Sequence, residues 1–364
     1  MIATMGVERF TQARDRLLAA ERGEATPVEV CDTVVRAIHD VAEFSWCAVM
    51  LTDADTTLPS GGVVEGFDPE HCAPFWDNEL LDPDFNKFRD LLRSIDPVAT
   101  LVDAVDGDLE RSPRFQKLYR PLDIADELRV VFASGSSALA VGVFVRAAPD
   151  GPFTAPEVEA VRQLVPVVTT SLRRSLGRMA FEAEEEPPVV VIIDGDDEIS
   201  AVTEGGLRVL EDLRVQDLDT EPVPGLIRAA AMRARWSRST ATVTTRMFGQ
   251  SGRWLRVHVA PLHGDSRSVA VTIERARPDD LVTVLLQSYG FTPRETEIVV
   301  ELSRGTAVKE IARELCISVH TVRDHIKAIY DKTGVKSRGE LVAQLFTRHL
   351  LERFHETVVH VSTV

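Results

Sequence analysis

Between residues 318 and 338 the chain sets Arg323, Lys327, Lys332, Lys336 and Arg338 against only Asp324 and Asp331. Guanidinium and ammonium groups are donors that pair with phosphate oxygens and with acceptors on base edges. Their spacing decides what they can reach. Val322, Ile326, Ile329 and Tyr330 recur at helical intervals and line a buried side, so His320, Arg323, Asp324, Lys327 and Asp331 fall largely on the outer side of the same helix. That outer side is a candidate surface for reading nucleic acid. Asp324 is ambiguous within it, because a carboxylate can accept from a cytosine amino group and can equally repel a phosphate backbone.

The neighbouring residues supply the elements that would position this face. Ser318 is a good N-cap for the helix and Gly334 a stop. Upstream, Thr292-Pro293-Arg294-Glu295 combines a capping residue, a proline suited to the first turn and a glutamate that closes a capping box. Ile298, Val299 and Leu302 follow at helical spacing, and Gly305 ends that helix. A second helix is expected from Thr306, with Val308, Ile311, Ala312 and Leu315 on one side, then a short turn at Cys316 and Ile317. Ser337-Arg338-Gly339-Glu340 supplies a further capping box for a fourth helix carrying Leu341, Val342 and Leu345. Two helices joined by a tight turn make a helix-turn-helix.

The run FTPRETEIVVELSRGTAVKEIARELCISVHTVRDHIKAIYDKTGVKSRGELV closely resembles the LuxR-type DNA-binding domain, over about 55 residues. The resemblance implies an all-α four-helix domain over 291–350 that binds double-stranded DNA. Carried over by position, it implies base-reading roles for Arg323, Asp324 and Lys327 and phosphate contacts for Thr321, Lys332, Lys336 and Arg338. It further implies a homodimeric transcriptional regulator, with RNA polymerase and a small-molecule effector as additional candidate partners. The competing reading is a non-catalytic signalling or dimerisation scaffold whose C-terminal helices serve a protein contact.

Charge is distributed unevenly along the 364 residues. The net charge is −16, yet residues 291 to 353 hold 11 Lys or Arg against 9 Asp or Glu, which leaves +2 there and −18 elsewhere. An acidic remainder repels DNA and suits sensing or protein contacts. No apolar stretch approaches the roughly 20 residues of a membrane span and no signal core opens the chain, so a cytoplasmic protein without membrane contact is expected. The four cysteines, Cys31, Cys47, Cys72 and Cys316, lack paired metal spacing. Cys316 with His320 and His325 looks superficially like a zinc cluster, but packing in the turn already accounts for Cys316. No phosphate-cradling glycine loop, receiver-type acidic pair or nucleophile elbow is present, so no enzyme, metal or cofactor is expected.

The length predicts two to three domains, a multidomain α+β protein. Helices are expected over 7–22 and 27–42, strands at Trp46 to Leu51, ending at the turn-rich Thr52-Asp53-Ala54-Asp55, and from Val63-Val64 after Gly61-Gly62, and a helix from Phe85 to Ile95. A hairpin with strands at 128–133 and 139–146 and a long helix ending near Met179 follow. This layout resembles a GAF-like sensor domain, assigned to 1–180. After an acidic linker at 181–188, strands at 189–193, near Ile199, and at 240–248, 254–261 and 268–274, with helices through Leu207 and Leu210 and from Pro224 to Arg235, resemble a PAS-like domain over 189–277. A connecting helix is expected within 278–290 and a tail at 351–364. His258 and His263 read as a strand-face and a loop residue rather than haem ligands. The His71-Cys72 pair is weak as a chromophore site, and Asp194, Asp196, Asp197 and Glu198 read as a hairpin turn because the calcium-loop pattern fails.

Overall fold

The computed structural model describes residues 2–66, 68–135, 137–178, 186–215, 221–236, 242–263 and 267–345. The expected tail at 351–364 and residues 181–185 of the expected linker lie outside the described residues.

Helix α1 (Ile2–Arg22) leads into α2 (Pro27–Val41), which opens on a capping box between Thr26 and Glu29. The strands β1 (Trp46–Thr52) and β2 (Pro59–Glu65) follow, then α3 (Cys72–Leu80), a single turn α4 (Phe88–Leu91), β3 (Val98–Thr100) and α5 (Leu101–Ala104). The hairpin β4 (Ile124–Ser134) and β5 (Ser137–Ala147) leads to the long helix α6 (Ala155–Arg178). Hydrogen bonding gives the antiparallel order β2-β1-β5-β4-β3. Strand alternation sorts this sheet into two faces. Cys47, Val49, Leu51, Leu128, Val130, Phe132 and Phe144 pack with α1, α2 and α6 in one core. The opposite face carries Trp46, Ala48, Met50, Val141 and Val143, together with the charged pair Glu127 and Arg129.

Two expectations need correction here. Gly61 and Gly62 lie inside β2 rather than ahead of it, with Gly62 paired to Met50. Gly62 has φ 146°, and an added Cβ would stand 2.3 Å from the Val49 carbonyl oxygen, so a glycine is needed for the two backbones to approach. The helix expected over Phe85 to Ile95 shrinks to α4, since Asn86 takes a positive φ and Lys87 turns inward, donating to the carbonyls of Asn78 at 2.5 Å and Glu79 at 2.9 Å.

The second half repeats the strand order. Strands β6 (Val189–Ile193) and β7 (Ile199–Val202), helices α7 (Gly206–Asp212) and α8 (Gly225–Trp236), and strands β8 (Val243–Phe248), β9 (Trp254–Pro261) and β10 (Val269–Arg275) form a sheet ordered β7-β6-β10-β9-β8. With its helical C-terminal region, the chain therefore adopts the expected α+β arrangement of two antiparallel sheets followed by an all-α domain. The Asp194 to Glu198 segment is a turn in which the Asp194 carboxylate accepts from the amides of Asp196 at 2.9 Å and Glu198 at 3.0 Å. His258 Nδ1 is 2.8 Å from the Thr244 hydroxyl, and its Nε2 is 3.4 Å from Glu274. His263 is exposed beyond β9.

The two sheets are not strung apart. Phe248 and Trp254 join the core beneath the first sheet, while Met50, Leu58 and Val131 belong to the apolar cluster of the second. Arg246 on β8 reaches the first half, its amide donating to Asp53 at 3.1 Å and its guanidinium pairing with Asp55. Asp53 is itself buried and also accepts from the amides of Asp55 and Thr56.

Helix α9 (Val282–Tyr289) then carries the chain toward its C-terminal domain. Its apolar residues divide between both neighbours: Val284, with Leu281 just before the helix, joins the core of α1, α2 and α6, and Leu285 joins the C-terminal core. Arg173 on α6 fastens the junction by donating to the carbonyls of Ser288 at 3.1 Å and Tyr289 at 2.5 Å.

Candidate nucleic-acid interface

The C-terminal core is small, so its helix ends must be secured by capping. Helix α10 (Pro293–Arg304) starts on the expected capping box: the Thr292 amide donates to Glu295 at 2.6 Å and the Glu295 amide to the Thr292 hydroxyl at 3.2 Å. Gly305 ends it with φ 95°. Helix α11 (Val308–Glu314) begins two residues later than expected, because the Thr306 hydroxyl donates back to Glu301 at 2.7 Å and the Glu310 carboxylate, rather than a side-chain cap, accepts the Ala307 amide at 3.3 Å. Cys316 makes the tight turn in a left-handed conformation, φ 53°. The following Ser318 caps α12 (Val319–Thr333) by accepting the Thr321 amide at 3.0 Å. Residues 338–345 form the last helix.

On α12 the inward and outward sides separate as the spacing predicts. Val322 and Ile329 are fully buried, Ile326 and Tyr330 half-buried, and His320, Thr321, Arg323, Asp324, Lys327 and Asp331 exposed. Arg323 and Lys327 make no hydrogen bond or ion pair among the described residues, so both cations stand available on the outer face. Asp324 instead sits 3.1 Å from His320 Nδ1, one turn earlier. That contact engages the carboxylate with a side chain of its own helix. The Thr321 hydroxyl lies 2.8 Å from that of Ser318 at the amino end of α12, where helix amides and the positive end of the dipole favour anions.

The four residues expected at phosphates divide into two groups. Thr321 and Lys336 are exposed at opposite ends of α12, and no partner is recorded for the Lys336 ammonium among the described residues. Lys332 and Arg338 are tied into the domain. Lys332 Nζ donates to Glu295 at 2.6 Å and to the Gly290 carbonyl at 3.0 Å, bridging α12 to the start of α10. Burial alone would raise the pKa of the Glu295 carboxyl, but Lys332 and the Thr292 amide hold it below the usual carboxylate range. Arg338 Nε donates to the Leu302 carbonyl at 2.8 Å and Nη1 to Thr306 at 3.3 Å, clamping the end of α10 to the last helix. Sequence reasoning passed over Lys309, exposed in the first turn of α11. The signal was present, because in a helix-turn-helix the helix before the recognition helix crosses the backbone.

The family model described as bacterial regulatory proteins, luxR family, matches residues 290–345. Spore germination protein GerE of Bacillus subtilis is 44% identical over 61 residues, which cover 17% of this chain and 82% of that protein. A probable HTH-type transcriptional regulator, GfsR of Streptomyces halstedii, is 42% identical over 53 residues, covering 15% of this chain and 22% of that one. With two further regulators the match likewise spans only 25% and 26% of the relative's length. A solved GAF domain/HD domain protein from Geobacter sulfurreducens superposes with a TM-score of 0.32 at 20% identity, over 41% of this chain and 94% of that one. The capped helices, the left-handed turn, the outward cations and the near full-length match to GerE converge: the chain belongs to the luxR family of bacterial regulatory proteins.

Proposed function

We infer that this chain is a sequence-specific DNA-binding transcriptional regulator, non-catalytic, whose N-terminal half senses a signal and sets how two C-terminal domains engage a duplex. The observation that carries this reading is the outer face of α12, where Arg323 and Lys327 stand exposed without partners among the described residues, on a helix capped and packed as a recognition helix. Arg323, Asp324 and Lys327 are assigned to base edges, and Thr321 and Lys336 to phosphates. Lys332 and Arg338, each donating to acceptors inside the domain, are assigned to holding its helices. The division into a first unit over 1–180, a second over 189–277 and a reader over 291–350 follows the two sheets and the helical core.

A surplus of only +2 over residues 291 to 353, on a chain of −16, supports a dimer. One such domain attracts DNA weakly, whereas two recognition helices set about 34 Å apart would engage adjacent major-groove faces together. Two routes support transmission of a signal. Helix α9 contributes to the cores on both its sides, and Arg173 holds its carboxyl end to α6. Duplex selection with the purified full chain tests the proposal. Recovery of an inverted repeat is expected, and recovery of random sequence would refute it.

A further inference from the structure

The face of the first sheet turned away from α1, α2 and α6 borders a cleft, partly open to solvent, whose inner part holds about 60 Å³, so that an aromatic guest would enter by one edge and protrude through the open side; both halves of the N-terminal region line it. Its floor is the first sheet itself, where Ala48 on β1 and Val143 on β5 stand side by side in register. Its walls are aromatic, formed by Trp46, Phe75, Trp76 and Phe88. Its roof comes from the second half, through Val215, Gly225 and Leu226. Apolar walls hold water poorly, and four rings favour a flat guest that can stack or meet them edge-on.

One polar group lies directly behind the wall, packed against two of its rings. Arg129 on β4 pairs in register with Val143, so it occupies the next place along the row that forms the floor. Its guanidinium carbon lies 5.2 Å from the centre of the Phe75 ring and 4.7 Å from that of Phe88, the two rings that also line the cleft. The side chain is fully buried. Nη1 donates to Glu79 at 2.6 Å and Nε lies 3.0 Å from Glu127, while Nη2 has no hydrogen-bond partner among the described residues. A buried N–H left unpaired is costly, and an acceptor reaching past the edge of these rings from the cleft would relieve that cost. The surrounding charges already balance: Lys87, Arg114 and Arg129 face Glu79, Asp84 and Glu127, all in one buried cluster. A charged guest would enter a desolvated site without a counter-ion.

Resting on the sensory reading above, we propose that this cleft between the two halves binds a small, neutral, planar aromatic molecule carrying one hydrogen-bond acceptor. Because the roof belongs to the second half and the floor to the first, occupancy would set the two halves against each other.

Benzamide, toluene and benzoate serve as probes of the full chain, with Trp fluorescence and the alkylation rate of Cys72, which lines the cleft, as readouts. Benzamide is expected to slow Cys72 alkylation about tenfold at ten times its Kd. The rate at exposed Cys316 should stay constant as an internal reference. Toluene, lacking the acceptor, should protect less, and benzoate should not protect. Ala48→Leu, which fills the floor, should abolish protection, while Leu226→Ala, which widens the roof, should admit the bicyclic 2-naphthamide better than the wild type does. Absence of protection in the wild-type chain, or benzoate protecting as well as benzamide, overturns the proposal. Titrating a selected duplex with and without benzamide is a separate readout: protection with unchanged DNA affinity upholds the cleft as a binding site and overturns only the sensory reading beneath it.

Discussion

Replacing Lys332 and replacing Lys336 by alanine should give opposite phenotypes, although both are lysines close to the carboxyl end of the same recognition helix. Lys332 donates to a buried carboxylate, Glu295, at 2.6 Å, and its own side chain is 32% exposed. At an effective dielectric of 20 the bare Coulomb attraction at that distance is about 6 kcal/mol. Desolvation of the carboxylate, the entropy of the lysine and solvent screening offset most of it, leaving about 1–2 kcal/mol. Lys332→Ala should therefore raise the opening equilibrium of α10 about 5- to 30-fold. The sign of the pH dependence follows from Glu295, whose folded pKa lies below its ordinary 4.5. The stabilisation is present above pH 4.5 and is lost as pH falls through the lower folded value, so the difference between wild type and variant should narrow in acid. Lys336 has no such acceptor among the described residues. Lys336→Ala should leave opening unchanged but flatten the dependence of log K for DNA on log salt by about 0.9 per domain, the loss of one phosphate contact. Amide exchange over residues 293–304 in the full chain and DNA titrations at several salt concentrations read the two effects. If Lys332→Ala flattens the salt dependence while exchange stays as in the wild type, the separation of holding from phosphate-binding lysines is refuted.

Lys327→Ala should lower affinity for a selected duplex about tenfold or more while leaving affinity for random duplex within the loss of a single charge; equal losses on both would remove its base-reading role. Gly62→Ala should destabilise the first half by about 2–4 kcal/mol, because its φ of 146° and the 2.3 Å approach to the Val49 carbonyl leave no room for a methyl group. A thermal midpoint matching the wild type would contradict that geometry. A thiol reagent at neutral pH should modify Cys316 first and Cys72 more slowly. Cys31 and Cys47, buried and with thiol pKa values pushed up to about 12 chiefly by desolvation, should react only on unfolding, as mass spectrometry of labelled peptides would show.

What could be read in the chain before its structure, and what could not, follows from the distance over which each signal acts. The reader was legible because caps, stops and apolar stripes all operate within three or four residues, as at Thr292 with Glu295 and Ser318 with Thr321. The same local logic began the second strand only after Gly61-Gly62, since glycines lack β propensity, while here they let β1 and β2 approach inside a sheet. It also left Lys332 and Lys336 alike. Nothing within a turn of Lys332 reveals that its acceptor is 37 residues away on another helix. The buried charge cluster was the least visible, because Glu79 and Arg114 come from segments separate from β4, which carries Glu127 and Arg129, and each alone reads as a solvated residue.

That cluster also changes what the small surplus of +2 in the reader means. The buried cluster carries no net charge, because Lys87, Arg114 and Arg129 balance Glu79, Asp84 and Glu127, so the whole acidic excess of the N-terminal half lies outside it. Internally paired charges exert little field outside, so the unpaired acids at the surface carry the repulsion of DNA. The reader then sits on a body that disfavours the duplex, joined through α9 and the Arg173 hydrogen bonds rather than by a long free linker. Repositioning that body would alter the electrostatic work of docking even if every base contact stayed the same. Arg173→Ala, which frees the carbonyls of Ser288 and Tyr289, should therefore change DNA affinity more at low salt than at high salt. Loss of a base contact would change it by a similar factor at both, and that outcome would place the effect of Arg173 in the recognition surface instead of the junction.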